Sequence, residues 1–372
     1  MEVPFFDLNF DEKEEEAVMT VLRSKWISMG SKTQELEQAF AEQHNVKYGV
    51  ALANCTVSLH LALKLIGVKV GDEVIVPSLS FVATASCVCH LGAKPVFADV
   101  SSLNDWTISP EDIENKITPK TKAIIAMHYG GYGSDMPKIL EIAKKYNLKV
   151  IEDACHAPLA DYKGEKLGSF GDIACYSFYS NKNISTGEGG MLITNNAEYA
   201  ERAKILRTHG MTSTAYDRVN GKGFYDVLEV GYNYRMDDIH SVIGLVQLEK
   251  AKSSVALRQG MADRYRENLK ESSDLVIPFA DYEGNSANHV FGIFVRNGDV
   301  EKIKKQLKEA GITTSNHYPP IHKFSSFQSK NEVLPLTEEI ASRQISLPIY
   351  PRMTFEQVDY VCEKIKKLFI NE

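Results

Sequence analysis

No glycine-rich nucleotide fingerprint occurs in this sequence. There is neither a GxxxxGK[ST] nor a GxGxxG between a strand and a helix, which argues against a P-loop and against a standard dinucleotide pocket. No apolar run approaches the roughly 20 residues that cross a bilayer. The opening, MEVPFFDLNFDEKEEEAV, is acidic and lacks a basic segment followed by an apolar one, so it does not read as a secretory signal. Basic excess is missing as well. The formal net charge is −7, and binding nucleic acid as a main partner calls for a basic face. The six cysteines include no CxxC pair and lie mostly in apolar runs. They are expected to be reduced, buried, small hydrophobes of a cytoplasmic protein, with no metal site. Low-complexity tracts and solenoid-period repeats are absent too. What remains is an ordinary globular composition, 44% hydrophobic over 372 residues, long enough for two domains.

Up to about residue 195 the chain alternates helix-like and strand-like segments. EEEAVMTVLRSK, TQELEQAFAEQH, TVSLHLALKLIG, FVATASCVCHLG, SPEDIENKI and SDMPKILEIAKKYN carry helical spacing. Thr56 is the expected N-cap of the third, Gly92 ends the fourth, and Ser109 with Pro110 opens the fifth. DEVIVPS, KPVFADV, TKAIIAMH, LKVIEDA, DIACYSF and GGMLITN read as short buried strands. Such alternation predicts a mostly parallel sheet covered on both faces. From about Asp238 the texture changes to a long helix, then HVFGIFV, the amphipathic VEKIKKQLKEAG and the final TFEQVDYVCEKIKKLF. NSANH and QSKNEVLP read as loops.

Ligands of open α/β sheets lie beyond the carboxyl ends of the strands. Residues at those places are the ALANCTVS turn, Ser80 and Phe81, His128, Asp153 and His156, and Ser177 with Lys182. An acid, a lysine, an aromatic ring and several hydroxyls suit pyridoxal phosphate. The lysine supplies a Schiff base, the acid pairs with the pyridinium nitrogen, and a helix N-terminus takes the phosphate. Plainer readings exist for each residue. Lys182 alone is an ordinary surface lysine, Asp153 an N-cap, His156 and Phe81 core, and Ser177 a strand serine. Gly187, Gly189 and Gly190 then form a tight turn, and His317 and Tyr318 end a strand without assigned chemistry.

GSFGDIACYSFYSNKNISTGEGG resembles the lysine segment of the DegT/DnrJ/EryC1/StrS family of PLP-dependent nucleotide-sugar aminotransferases. The likeness extends in order through WISMGSKTQELEQAFAEQHNVKYGVALANCTVSLHLAL, GDEVIVPSLSFVATASCVCHLGAKPVFADV, IEDACHAPLADYKGEKLGS, LRTHGM, EVGYNYRMDDIHSVIGLVQLEK, GITTSNHYPPIH and SLPIYPRMT. It covers nearly the whole chain. The resemblance implies the type I PLP-transferase fold. A large α/β domain with a mostly parallel seven-stranded sheet is expected over 1–245, and a smaller α+β domain over 246–372.

The resemblance also implies roles. Lys182 forms the Schiff base and moves the proton. Asp153 holds the ring nitrogen protonated, His156 lies on the phenolic-oxygen side, and Phe81 stacks on the ring. Ser177 and the Cys55–Thr56 turn bind the phosphate. Asn233, in GYNYR, reaches the cofactor phosphate of a second copy, which implies a homodimer with shared sites. Cys55 departs from the family's usual glycine or alanine, a change that backbone binding of phosphate tolerates. The expected substrates are an amino-acid donor, glutamate, and a nucleotide-linked keto-sugar. STGEGG favours a 4-keto-6-deoxy sugar over a 3-keto sugar. A dehydratase of the same fold resembles a branch with histidine at the lysine position, and Lys182 counts against it. A non-catalytic regulator with a relic site is opposed by the intact Lys182, Asp153 and Ser177.

Overall fold

The computed structural model describes residues 1–221, 223–327 and 332–370. Seven strands form the main sheet: β1 (Tyr48–Leu52), β2 (Glu73–Pro77), β3 (Lys94–Ala98), β4 (Thr121–Met127), β5 (Lys149–Asp153), β6 (Ile173–Ser177) and β7 (Gly190–Thr194). Their spatial order is β1-β7-β6-β5-β4-β2-β3. Neighbours from β6 through β5, β4 and β2 to β3 run parallel, while β7 opposes both β1 and β6. One reversed strand therefore interrupts an otherwise parallel sheet, the α/β fold expected.

Both faces are dry. Val50, Val74, Ile125, Ile151, Cys175 and Leu192 pack on one side with Leu59 and Leu63 of the helix Cys55–Leu65. On the other side, Ala51, Ala174, Tyr176 and Met191 meet Leu36 and Phe40 of the helix Ser31–Gln43. There too, Ile75, Ile124 and Val150 meet Ile139 and Ile142 of the helix Met136–Tyr146. Burial on both faces is why these strands read as continuous apolar runs rather than alternating ones.

One of the expected helix boundaries holds, at Ser109, while the helix expected to end at Gly92 stops at Cys89. Ser109 accepts from Asp112 N–H with Pro110 in the first helical turn. The cap expected at Thr56 is instead Asn54. Asn54 is extended and its side chain accepts from Val57 N–H, so the helix starts at Cys55 and Thr56 falls inside its first turn. Asparagine is among the strongest N-caps, and it stands two places upstream.

A 32-residue helix, Asp238–Leu269, links two cores. Leu248 and Ala251 belong to the sheet core, whereas Met261, Ala262, Tyr265 and Leu269 belong to a second one. The expected 245/246 boundary falls within this helix. The second core packs a three-stranded antiparallel sheet, β8 (Leu275–Val276), β9 (Phe291–Val295) and β10 (Gln344–Leu347), against the helices Val300–Glu309 and Phe355–Ile370. Val3 joins it and bridges to Ile312, so the chain's first residues pack with its last third. β10 and the helix Ala197–Leu206 were not anticipated. Of the loop QSKNEVLP, residues 328–331 lie outside the described residues, and Pro335 opens the helix Pro335–Arg343. NSANH is irregular as expected, yet Ser286, Ala287, Asn288 and His289 are buried. All six cysteines are free, but Cys89 is exposed and Cys55 half-buried, against the uniform burial expected.

Candidate active site

The carboxyl ends of β1, β2, β5 and β6 converge on one cavity of about 380 Å³. Cys55, Thr56, Phe81, Asp153, Ser177 and Lys182 all line it. These residues span more than a hundred positions of sequence and meet because parallel strands present their carboxyl ends on one edge. Asn54, Leu59, Ala83, Thr84, Cys155, Tyr179, Asn181, Glu188, His317 and Tyr318 complete the wall.

Asp153 is the last residue of β5 and is buried. No helix follows it directly, which removes the N-cap reading. One carboxylate oxygen accepts from Thr84 Oγ1 at 2.9 Å, and Thr84 Oγ1 lies 2.7 Å from Ser80 Oγ. The other faces Cys155 N–H at 3.4 Å. Thr84 went unrecognised in the sequence. Its signal was available, since Ser80 and Thr84 stand one helical turn apart at the end of a strand.

Phe81 leaves 55% of its surface exposed. An exposed apolar ring in a cavity wall is a platform for a flat ligand. The helix Cys55–Leu65 points its N-terminus at the same space. Asn54 takes Val57 N–H, leaving the preceding amides Cys55 and Thr56 ahead of the first intrahelical bond. Amides of this kind suit an anion, and Ser177 lines the same cavity. The approach is tight. A Cβ at Gly190 would lie 2.5 Å from the Asn54 carbonyl carbon and 2.8 Å from Cys55 N, so β7 fits beside this turn only as glycine.

The Cys55 thiol is pushed up by burial first and then by the Asp153 charge, so it stays a neutral, small side chain. Burial, followed by the nearby Cys155, Tyr129 and Asp153, also holds the Tyr318 phenol protonated.

His156 does not line the cavity. It is fully buried one layer back, accepts from Gly130 N–H through Nδ1 at 3.2 Å, and places Nε2 2.9 Å from Tyr318 Oη. Tyr318, from the GITTSNHYPPIH segment, lines the wall and stands between His156 and the cavity. Burial, then Lys182 and His317, keeps His156 neutral. His128 is also away from the cavity. Its Nδ1 accepts from Ser134 N–H at 3.2 Å, so Nε2–H donates to buried Glu152 at 2.9 Å. Asn233 is exposed and is not among the residues lining this chain's cavity.

This donor set fits pyridoxal phosphate. A carboxylate, an amine, an exposed ring and a helix N-terminus share one cavity. Asn181 also lines it, and its carboxamide oxygen is buried without a hydrogen-bond partner among the described residues. A buried acceptor in that state calls for a donor from a ligand or water.

Comparison with known proteins agrees. The chain is 38% identical over 376 residues to the GDP-perosamine synthase of Escherichia coli O157:H7, covering 99% of this chain and 98% of that one. Its fold is similar to that of Helicobacter pylori PseC, an aminotransferase involved in the biosynthesis of pseudoaminic acid, with a TM-score of 0.94, 28% identity and full coverage of both chains. It is similar also to the PLP-form of the putative sugar aminotransferase Spr1654 from Streptococcus pneumoniae, with a TM-score of 0.91 and 29% identity, over 99% of this chain and 98% of that one. The model of the DegT/DnrJ/EryC1/StrS aminotransferase family matches residues 9–366, and the chain belongs to that family.

Proposed function

We propose that this protein is a PLP-dependent transaminase that moves an amino group from L-glutamate to a nucleotide-linked keto-sugar, at C4 of a 4-keto-6-deoxy sugar. The observation that carries the reading is the meeting of Lys182 and Asp153 in one cavity beside Phe81 and a helix N-terminus. The relative named GDP-perosamine synthase supports a nucleotide-linked acceptor, and STGEGG supports C4.

Bound there, pyridoxal phosphate supplies an electron sink for the carbon that loses its proton. The protein's own groups do the rest. Asp153, fixed by Thr84, would keep the ring nitrogen protonated, Phe81 would carry the ring, and the Cys55 and Thr56 amides with the Ser177 hydroxyl would hold the phosphate. Lys182 would hold the cofactor through its amine and, when free, would take the donor's α-proton as general base and return it. Tyr318, kept protonated, offers a hydrogen bond into the cavity. His156, a neighbour of Tyr318, fixes that ring from behind. The two half-reactions give ping-pong kinetics.

The active unit we propose is a homodimer in which Asn233 of each copy serves the other's phosphate site. Phe224, Leu228 and Val230, exposed by 95%, 61% and 87% on the segment before Asn233, support a second copy as their cover.

The test is visible absorbance of the purified protein with pyridoxal phosphate, before and after adding glutamate. A yellow band that glutamate bleaches, and that Lys182→Ala lacks while remaining folded, is expected. A colourless protein, or wild-type transamination by Lys182→Ala, overturns the reading.

A further inference from the structure

The Lys182 amine has a neighbour that its sequence context does not suggest. His289, in the buried NSANH segment, places Nε2 3.4 Å from Lys182 Nζ. The tautomer of this imidazole follows from a chain of contacts. Asn183, next to the lysine, donates Nδ2–H to Ala287 O at 2.7 Å. That fixes the carboxamide, so its oxygen is the atom 3.1 Å from His289 Nδ1. An oxygen there requires Nδ1–H. The lone pair of the neutral ring is thereby on Nε2, aimed at the lysine.

The ring has little freedom to do otherwise. His289 is 6% exposed, its backbone N–H donates to Gly130 O at 2.8 Å, and its ring lies 4.3 Å from the His156 ring. Gly130 also donates to His156. The turn at Gly130–Gly131 thus sets both imidazoles. At Gly131, with φ +100°, a Cβ would lie 2.9 Å from Asn288 N and 3.0 Å from Ala287 N. Only glycine lets the NSANH segment come this close. The titratable groups around the ring are Lys182, His156, Arg258 and His317, and burial is the largest influence among them, so the imidazole stays neutral.

We propose that His289 is a positioning residue that holds the free Lys182 amine through an N–H···Nε2 hydrogen bond, turning the amine's lone pair toward the donor's α-carbon. This rests on the reading of Lys182 as the general base. A free lysine side chain is spread over many rotamers. A fixed acceptor removes that freedom when the amine must act, the kind of orientation whose loss costs on the order of 10²-fold in rate. His289 neither takes nor gives the proton. Asn183 acts one step further back, by fixing the tautomer.

Two measurements test this. Nitrogen-15 imidazole spectra of the cofactor-free wild type are expected to show His289 as the Nδ1–H tautomer, assigned with His289→Gln. Lys182→Met is expected to shift the Nε2 resonance and leave Nδ1 in place. An Nε2–H tautomer, or an Nε2 resonance indifferent to Lys182→Met, overturns the proposal. In turnover, His289→Leu is expected to lower kcat on the order of 10²-fold with KM and cofactor affinity kept. His289→Gln, whose amide oxygen reaches the place of Nε2, is expected to recover most of that loss. Unchanged kcat in His289→Leu, or no recovery with glutamine, overturns it. The spectra need no cofactor and no leucine variant, so they decide even if that variant misfolds. If the protein neither binds pyridoxal phosphate nor transaminates, the functional reading fails. If it transaminates and His289→Leu matches wild type, only the positioning role fails.

Discussion

Replacing Asp153 with asparagine isolates one buried charge. The carboxylate accepts from Thr84 Oγ1 at 2.9 Å and faces Cys155 N–H at 3.4 Å. Asparagine has the same shape. Its carbonyl oxygen keeps the Cys155 contact, its amide donates to Thr84, and the Thr84 hydroxyl turns to donate to Ser80, 2.7 Å away. The fold is therefore expected to survive. What disappears is the negative charge that we propose faces the ring nitrogen. A charge-assisted hydrogen bond is worth about 1.5–3 kcal/mol and a neutral one about 0.5–1.5 kcal/mol. The difference, about 1–1.5 kcal/mol, weakens cofactor binding about tenfold. Turnover falls further, because an amide does not hold a proton on the ring nitrogen. A misplaced proton of this kind is worth about 10²–10⁴-fold. The assay is a visible-absorbance titration of cofactor-free Asp153→Asn with pyridoxal phosphate, then turnover at saturating cofactor. A folded variant with wild-type kcat refutes the assignment of Asp153 to the ring nitrogen.

Three further outcomes are expected. The helix Ser31–Gln43 starts after Gly30, which has no side chain to cap it, and buried Asp238 serves instead, accepting from Gly30 N–H at 2.8 Å, Thr33 N–H at 3.1 Å and the Thr33 hydroxyl at 2.8 Å. Asp238→Ala should cost about 3 kcal/mol in urea unfolding, and a loss below about 1 kcal/mol sinks that account. His44 is held down to about 4 by burial, with Nδ1–H donating to Phe40 O at 2.8 Å and Nε2 accepting from Leu159 N–H at 3.1 Å. The unfolded ring gains its proton as pH falls through about 6.5 and the folded ring only near 4, so this stability is complete above about pH 6.5 and declines toward pH 4, by about 2 kcal/mol at pH 5. Urea midpoints from pH 7 to 5 should fall less steeply in His44→Gln, and equal slopes refute the argument. Asn233→Ala should lose cofactor faster on dialysis while sedimenting as a dimer, and a fully active monomer rules out shared sites.

Much of the site was legible because chemistry and place coincide along a strand. Asp153 and Ser177 end strands, and Phe81 and Lys182 follow them closely, so strand recognition alone put them on one edge. Thr84 and Asn54 were legible in principle, from a helical-turn spacing and from capping preference. His156 and Tyr318 were not. Each looks like the other's bystander in sequence, and only the packing of the GITTSNHYPPIH segment over the sheet decides which one reaches the cavity. His289 lay further from view, 107 positions from Lys182 in a stretch that reads as a polar loop.

Local sequence determined the mostly parallel sheet, the family, and the chemistry-bearing residues at strand ends, whereas the reversal of the GGMLITN strand emerged only from the pairing of β7 with β1 and β6. The first three follow from local signals: apolar runs, caps, turns and the residue types that a cofactor needs. Tertiary structure alone decided which imidazole faces the lysine, which aromatic lines the wall, and that Asp238 caps a helix 208 residues away. Those contacts join segments whose separation along the chain leaves no periodic trace, and they form only when two packed cores bring buried polar groups within hydrogen-bond reach.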